Sequence, residues 1–399
     1  MFIYSRYYEL SGIPHRSSSD LPTPAPIAVW LVTHLSVDRI DKLRSLCLQW
    51  RGSIAASIWV QPTLSSYDRK TAYRDIQRLV DDTIKDKKLF SCDLRVVRAE
   101  NMFTGSFVDK LSSFLPFPGL KSSPSVLSAD LYPVNALRGA ALDIVVECVS
   151  GTSNYKSCSE HSKYSNCNAK SADGNVSGAD TLECISNTAV FVIDVDMRPP
   201  DLLCLALSNL DPQNNMLAII RQQCVDDGKF LVIPALELCQ PDGNCEGDAD
   251  DDISSIDTLL RSKDYTQLTK LLSNLISTRR IRAFHSSSYN RGHCATLTER
   301  WLAGVAAPSV YDVNNRDIPV VPLNYREGWE PYGLIGLGLL MRVGGFNRSF
   351  VGWHRDKIEF IRRLSAHNVG FAICEDARGF ILDWQPHAPT ESRRQTEKG

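Results

Sequence analysis

The chain has 399 residues, of which 43% are hydrophobic and 23% are charged, and its formal net charge is −2. This composition is typical of a globular protein that is long enough for one large domain or two small ones. The near-neutral balance argues against a nucleic-acid-binding surface, which needs a clustered basic face. No apolar run reaches the roughly 18 to 20 residues that a membrane-spanning helix requires.

Strand-like and helix-like segments alternate after a Ser- and Pro-rich stretch, residues 1–25, which is predicted to be a disordered tail. Ser36 is the expected cap of the first helix. The alternation predicts an α/β fold with a mostly parallel central sheet and helices on both faces. The strands are predicted at 27–35, 53–60 and 93–99, and the helices at 36–50, 68–84 and 132–148.

Two stretches interrupt this pattern and are interpreted as surface insertions in a single domain, 26–390, which is followed by a short C-terminal tail, 391–399. Residues 150–187 are rich in Ser, Asn, Gly and Cys, and residues 240–254 contain an acidic run that is typical of a solvated loop. The glycine-containing segment 333–345 lacks the Lys-Ser/Thr pair of a phosphate-binding loop, so it is predicted to be an apolar packed segment.

The stretch VFVIDVDMRPP, residues 190–200, combines a short apolar run with two carboxylates, Asp194 and Asp196. An apolar run that a proline pair follows is typical of a buried strand. Ligands of open α/β sheets bind at the carboxyl ends of strands, and carboxylate oxygens suit a hard divalent cation. A metal-binding role is therefore predicted for both residues, although a D-x-D spacing is also common by chance.

Cysteines and glycosylation tripeptides give a weaker indication of the compartment. Three cysteines, Cys158, Cys167 and Cys184, fall in the first insertion, and N-x-S/T tripeptides begin at Asn175 and Asn347. Loop cysteines of this kind favour an oxidising compartment. Free thiols in a cytosolic protein are the alternative, since the N-terminus has no signal-peptide layout.

The order of short motifs resembles glycosyltransferase family 49, the dystroglycan-type family that includes the LARGE glucuronyltransferase domain and β-1,4-glucuronyltransferase. The similarity extends over about residues 27 to 389 as eight motifs in order. The motifs are THLSVDRIDKLRSLCLQWRGSIAASIWV, LYPVNALRGAAL, VFVIDVDMRPP, LVIPALEL, RGHCATLTERW, WEPY, FVGWHRDKIEFIRRL and FILDWQPHAP.

The resemblance implies a fold of the GT-A nucleotide-sugar transferase type and an inverting, metal-dependent reaction. The donor would be a UDP-sugar, with glucuronate favoured, the metal Mn²⁺ or Mg²⁺, and the acceptor a glycan or glycoprotein. It also implies the Golgi lumen as location, with the membrane reached only through an anchor absent from this sequence.

The same resemblance assigns the metal and donor residues. Asp196 is the surer direct ligand, and Asp194 contacts the metal or the ribose. A third ligand is expected from the C-terminal motif, where the choice lies between Asp383 and His387. Asn135 and Arg138, three residues apart on one predicted helix face, are expected at the donor, since Arg pairs with phosphate or a uronate carboxylate.

An inverting transfer needs a base that takes the proton of the acceptor hydroxyl. Asp356 at the start of a predicted helix is the first candidate, and Glu330 of WEPY is the second. An acid that only stabilises the helix dipole is the ordinary alternative for Asp356.

The motifs depart from the family at four positions, which bear on the donor sugar more than on the reaction class. Gly139, Leu297 and Asp356 each stand where the family usually has Asn, and Asp383 stands near the position of a family His.

Three other functions remain open at this point. The chain could be a non-catalytic relative that binds carbohydrate, a β-1,3-N-acetylglucosaminyltransferase, or an unrelated metal-dependent hydrolase that uses the same carboxylates.

Overall fold

A computed structural model of the chain describes residues 27–61, 63–86, 89–90, 92–99, 132–151, 178–208, 216–238, 249–262, 264–278, 280–284, 320–348, 356–374 and 379–383. These residues form one eight-stranded sheet, one four-stranded sheet and helices that flank them. No helix among them is long and apolar enough to cross a bilayer.

The large sheet has the strand order β3-β2-β1-β4-β10-β6-β11-β9. Neighbouring strands are parallel from β3 through β4 and between β6 and β11, whereas β10 and β9 run antiparallel to their neighbours. Its strands are β1 (Ala28–Ser36), β2 (Ser53–Trp59), β3 (Asp93–Ala99), β4 (Thr188–Val192), β6 (Phe230–Ile233), β9 (Val320–Leu323), β10 (Tyr332–Gly336) and β11 (Phe371–Cys374).

The small sheet has the strand order β5-β12-β7-β8. Its first strand, β5, begins directly after the Asp-x-Asp segment and pairs with β12, the last described strand of the chain. Its strands are β5 (Met197–Arg198), β7 (Ala235–Leu238), β8 (Ile281–Ala283) and β12 (Ile381–Asp383).

The helices follow the expected alternation through the first half of the chain. A short 3-10 turn, Val37–Arg39, precedes the first helix, and a π-helical turn, Arg221–Asp226, follows the sixth. The helices are α1 (Ile40–Gln49), α2 (Ser66–Lys85), α3 (Val134–Ser150), α4 (Gly178–Ser186), α5 (Asp201–Ser208), α6 (Met216–Ile220), α7 (Ala249–Ser262), α8 (Tyr265–Ser277), α9 (Leu337–Arg342) and α10 (Asp356–Ala366).

The large sheet buries apolar side chains on both faces, because alternate residues of a strand point to opposite sides. Trp30 and Val32 of β1 belong to the core that contains α3, while Leu31 and Leu35 belong to the core that contains α1 and α2. The predicted α/β architecture with a mostly parallel sheet and helices on both faces is therefore confirmed.

Two local predictions are wrong. Ser36 does not cap the first helix: it ends β1 with an extended backbone and makes no capping hydrogen bond, and the 3-10 turn separates it from α1. The acidic run is not a loop throughout, because α7 begins at Ala249. Asp252 is buried there and forms a 2.7 Å ion pair with Arg280, which compensates the burial of its charge.

Residues 333–345 are an apolar packed segment, as predicted. They form β10 and α9, and every residue of β10 is buried. Part of the first insertion is also helical, since α4 spans Gly178–Ser186.

Candidate functional site

Asp194 and Asp196 lie in a turn that follows β4, in which Met197 N donates to the carbonyl oxygen of Asp194 at 3.0 Å. Ile193, Val195 and Met197 alternate with them and pack into the apolar core that contains α1. Ile193 N donates to Val32 O at 3.1 Å, so the pairing with β1 extends past the last residue of β4. The apolar residues fix the segment, and the two carboxylates reach side chains at and just after the carboxyl end of β1, Asp194 lying near His34 and Asp196 near Arg39.

Four protein groups surround the carboxylate of Asp194. Tyr332 Oη donates to Oδ2 at 2.5 Å and Lys357 Nζ donates to it at 2.8 Å, whereas Arg138 Nη2 donates to Oδ1 at 3.1 Å. His34 Nε2 lies 3.3 Å from Oδ1. Burial alone would raise the pKa of Asp194, but Lys357, His34 and Arg138 together hold it well below its usual value. Asp194 is therefore an ionised carboxylate at the centre of a network.

His34 is a neutral member of this network. The side chain is buried at the end of β1, and its Nδ1 lies 3.0 Å from the hydroxyl of Tyr132. Burial lowers the pKa of His34 below 6.5, and the nearby Asp194 offsets this only in part. A neutral imidazole at this position adds no positive charge to those of Arg138 and Lys357.

Arg138 joins two carboxylates from the buried face of α3. Its guanidinium forms an ion pair with Asp356 at the start of α10 as well as with Asp194, and it donates to Asn135 Oδ1 at 3.2 Å. Arg138 is 1% exposed and Asn135 is 0% exposed. Asn135 also donates to the carbonyl of Asn347 at 3.1 Å.

Asp196 has a different surrounding. Its carboxylate forms an ion pair with Arg39, the last residue of the 3-10 turn after β1. The backbone pairing of β5 with β12 sets Asp383 opposite Met197, the residue after Asp196. Asp383 and Asp196 are both buried, at 3% and 8% exposure. The fold therefore brings Asp383, the described one of the two candidate C-terminal ligands, opposite the residue that follows the Asp-x-Asp segment.

The predicted ligand His387 lies outside the described residues, as does Leu297. Within the described part of the chain, no group of three His, Cys, Asp or Glu side chains is arranged to hold a metal ion. Asp196 and Asp383 both carry carboxylate oxygens, which are donors that suit a hard divalent cation.

The two candidate bases differ in their surroundings. Asp356 is 6% exposed and is engaged by Arg138. Glu330 is half-buried just before β10. Burial raises the pKa of Glu330, and the charges of Asp356 and Asp194 raise it further, while Lys357 and Arg138 lower it. Glu330 thus lies within the electrostatic reach of the network, and its pKa is shifted upwards, in the direction that favours a general base.

Gly139, which stands where the resembled family usually has Asn, lies against the side chain of Arg348. A Cβ at this position would lie 2.5 Å from Nε of Arg348. Arg348 Nη2 donates to the Gly139 carbonyl at 3.2 Å and to Asp143 Oδ1 at 2.6 Å. A guanidinium thus occupies the space beside α3 that a side chain on residue 139 would need.

The sequence matches no protein-family model, and a comparison with curated proteins found no match. The likeness to glycosyltransferase family 49 therefore rests on the motif series alone.

Sequence reasoning missed four members of the site: His34, Arg39, Tyr332 and Lys357. The signal that could have found His34 is its position as a polar residue at the end of an apolar parallel strand next to β4. Arg39, Tyr332 and Lys357 lie within quoted motifs, but their contacts with the Asp-x-Asp segment span 138 to 163 residues of sequence. Only the fold brings such residues together.

Proposed function

We propose that the protein is an inverting, metal-dependent glycosyltransferase with a GT-A type fold that moves a sugar, glucuronate first among the candidates, from a UDP-sugar to a glycan or glycoprotein. The observation that carries the proposal is the position of Asp196 just past the carboxyl end of β4. This is the edge at which open α/β sheets bind ligands. Asp383 lies nearby in the small sheet, on β12, which pairs with β5 directly after Asp196.

The residues at this edge fit a divalent cation in their donor chemistry. Asp196 would hold Mn²⁺ or Mg²⁺, with Asp383 or His387 as a further protein ligand. The bound cation would supply positive charge for the leaving diphosphate. Asp194 has a separate part in this proposal: the four protein groups on its carboxylate anchor the segment, so that Asp196 rather than Asp194 is the direct ligand.

The base of the proposed reaction is Glu330 or Asp356. Asp356 would have to leave its ion pair with Arg138 before it could take a proton. Glu330 has a raised pKa and is partly exposed, which favours it as the group that accepts the proton of the acceptor hydroxyl. Asp356 would then hold Arg138 against Asp194 and so position the segment.

The Golgi lumen is the proposed location. Cys184, one of the cysteines of the first insertion, is disulfide-bonded, and disulfides persist in oxidising compartments.

A non-catalytic carbohydrate-binding protein is the second candidate function. The observation that favours it is the ion pair between Asp196 and Arg39, which compensates the charge of the proposed metal ligand with a protein side chain. Such a protein would bind glycan without requiring a metal ion or a nucleotide.

A panel of UDP-sugars, assayed for UDP release with and without Mn²⁺ and with and without an acceptor glycan, distinguishes these functions. The transferase releases UDP from one donor only when Mn²⁺ and an acceptor are both present. Release without any acceptor would indicate a hydrolase. Failure to bind UDP in the presence of Mn²⁺ would support the non-catalytic protein.

A further inference from the structure

Arg39 contacts the proposed metal ligand but has no role in the proposed reaction. It ends the 3-10 turn Val37–Arg39, which leads from β1, and its guanidinium lies on the carboxylate of Asp196. A buried carboxylate needs a countercharge, because removing it from water is costly. Arg39 provides a countercharge at the place where the proposed cation would bind.

Arg39 is held much less firmly than the other arginine of the site. Its side chain is 36% exposed, whereas that of Arg138 is 2% exposed and contacts two carboxylates. The carboxylate of Asp196 is itself 10% exposed, so it needs a cation beside it. Arg39 can therefore leave at small cost only when another cation takes its place, while the buried Arg138 cannot leave at all.

We propose that Arg39 is an exchanging counter-ion: it neutralises Asp196 when no donor is bound, and it transfers its hydrogen bonds to the diphosphate of the nucleotide when a divalent cation takes Asp196. This inference rests on the proposed function and adds a positioning residue for the nucleotide. A guanidinium and a divalent cation on one carboxylate repel each other, since both are positive, and the divalent ion has the larger charge. One guanidinium group can bind two phosphate oxygens at once, so the diphosphate is a suitable new partner for the displaced side chain.

The test compares the wild-type protein with Arg39→Gln, Arg39→Lys and the control Arg44→Gln. Arg44 forms an ion pair of the same type with Asp82, and its side chain is 39% exposed, but its partner lies on α2 instead of the Asp-x-Asp segment. Free Mn²⁺ is measured by electron paramagnetic resonance during titration of the protein alone, and UDP binding by calorimetry at saturating Mn²⁺. Circular dichroism checks that each variant is folded.

Arg39→Gln is expected to bind Mn²⁺ alone about threefold more tightly than the wild type, because the competing charge of a partly exposed ion pair is gone. The same variant is expected to bind UDP about tenfold more weakly, because charge-assisted hydrogen bonds to the diphosphate are lost. Arg39→Lys keeps the charge and should restore the wild-type affinity for Mn²⁺, but not the full affinity for UDP. Arg44→Gln should match the wild type in both titrations.

Two results would overturn the inference in different ways. In the first, the wild type binds UDP with Mn²⁺, and Arg39→Gln has the same affinities for Mn²⁺ and UDP. This result would refute the exchange and leave the proposed function unaffected. Wild-type protein and variants that bind neither Mn²⁺ nor UDP would refute the inference and the proposed function together.

Discussion

Arg138 Nη2 lies 3.1 Å from Asp194 Oδ1, so that a helix on one face of the sheet is joined to the segment that leaves β4. The same guanidinium contacts Asp356 at the start of α10. Three elements that are far apart in sequence are thereby held around one buried cation, and the position of the Asp-x-Asp segment depends on this cation.

Arg138→Met should destabilise the protein strongly. The substitution roughly keeps the length of the side chain, but it leaves the carboxylates of Asp194 and Asp356 without this countercharge. Breaking a buried ion pair in this way typically costs about 3 to 5 kcal/mol of unfolding free energy. Urea denaturation measures the change, and Arg44→Met, which breaks a more exposed pair, should cost much less. Equal losses in the two variants would show that burial does not set the cost.

His34 should make stability depend on pH below about 6.5. Burial lowers the pKa of folded His34, so the unfolded chain binds a proton that the folded chain does not. The free energy of unfolding should therefore be fully retained above the unfolded pKa, near 6.5, and fall as the pH drops below it. Denaturation at pH 5 to 8 measures this slope, and His34→Gln should reduce it. An unchanged slope in the variant would assign the proton uptake to other groups.

Gly333→Ala should destabilise the sheet, because the new Cβ would lie 2.4 Å from the carbonyl oxygen of Leu231 on the neighbouring strand β6. Overpacking of this kind costs about 1 to 3 kcal/mol. The matched control is Gly338→Ala in α9, whose Cβ would have its nearest neighbour at 3.8 Å. The control should be neutral or stabilising, since Ala favours a helix over Gly. Thermal unfolding of both variants provides the comparison, and a neutral Gly333→Ala would contradict the packing of β10.

Glu330→Gln should abolish most turnover and leave UDP binding unchanged, because a general base acts only as the new bond forms. Loss of a general base lowers the rate by about 10² to 10⁴. Steady-state assays with the donor that the panel identifies provide the measurement. The control is Glu327→Gln, which alters an exposed side chain that accepts a hydrogen bond from Tyr325. Asp356→Asn is the competing test: if it, and not Glu330→Gln, removes turnover while UDP binding is kept, then Asp356 is the base.

The sequence predicted the elements of the fold more fully than the site. β3 was predicted with its observed bounds, and β1 and α2 within two residues, because strand and helix patterns are local properties of the chain. The helix that begins at Ala249 was not predicted, because an acidic run resembles a solvated loop. The ion pair of Asp252 with Arg280 forms only in the folded chain. Asp194 and Asp196 could be selected as a pair from their spacing. Their different partners could not be predicted, since Lys357 and Tyr332 reach Asp194 only through the packing of α10 and β10.

The central claim is that Asp196 holds a divalent cation for a nucleotide, and UDP calorimetry with Mn²⁺ and with EDTA tests it most directly. Wild-type protein should bind UDP with Mn²⁺ and lose this binding in EDTA, and Asp196→Asn should weaken binding in Mn²⁺ by at least about tenfold, since a charged ligand of the cation is replaced by a neutral one. Asp82→Asn, which breaks the ion pair with Arg44, should bind as the wild type does. UDP binding that is unchanged in EDTA and in Asp196→Asn would contradict the metal role of this carboxylate.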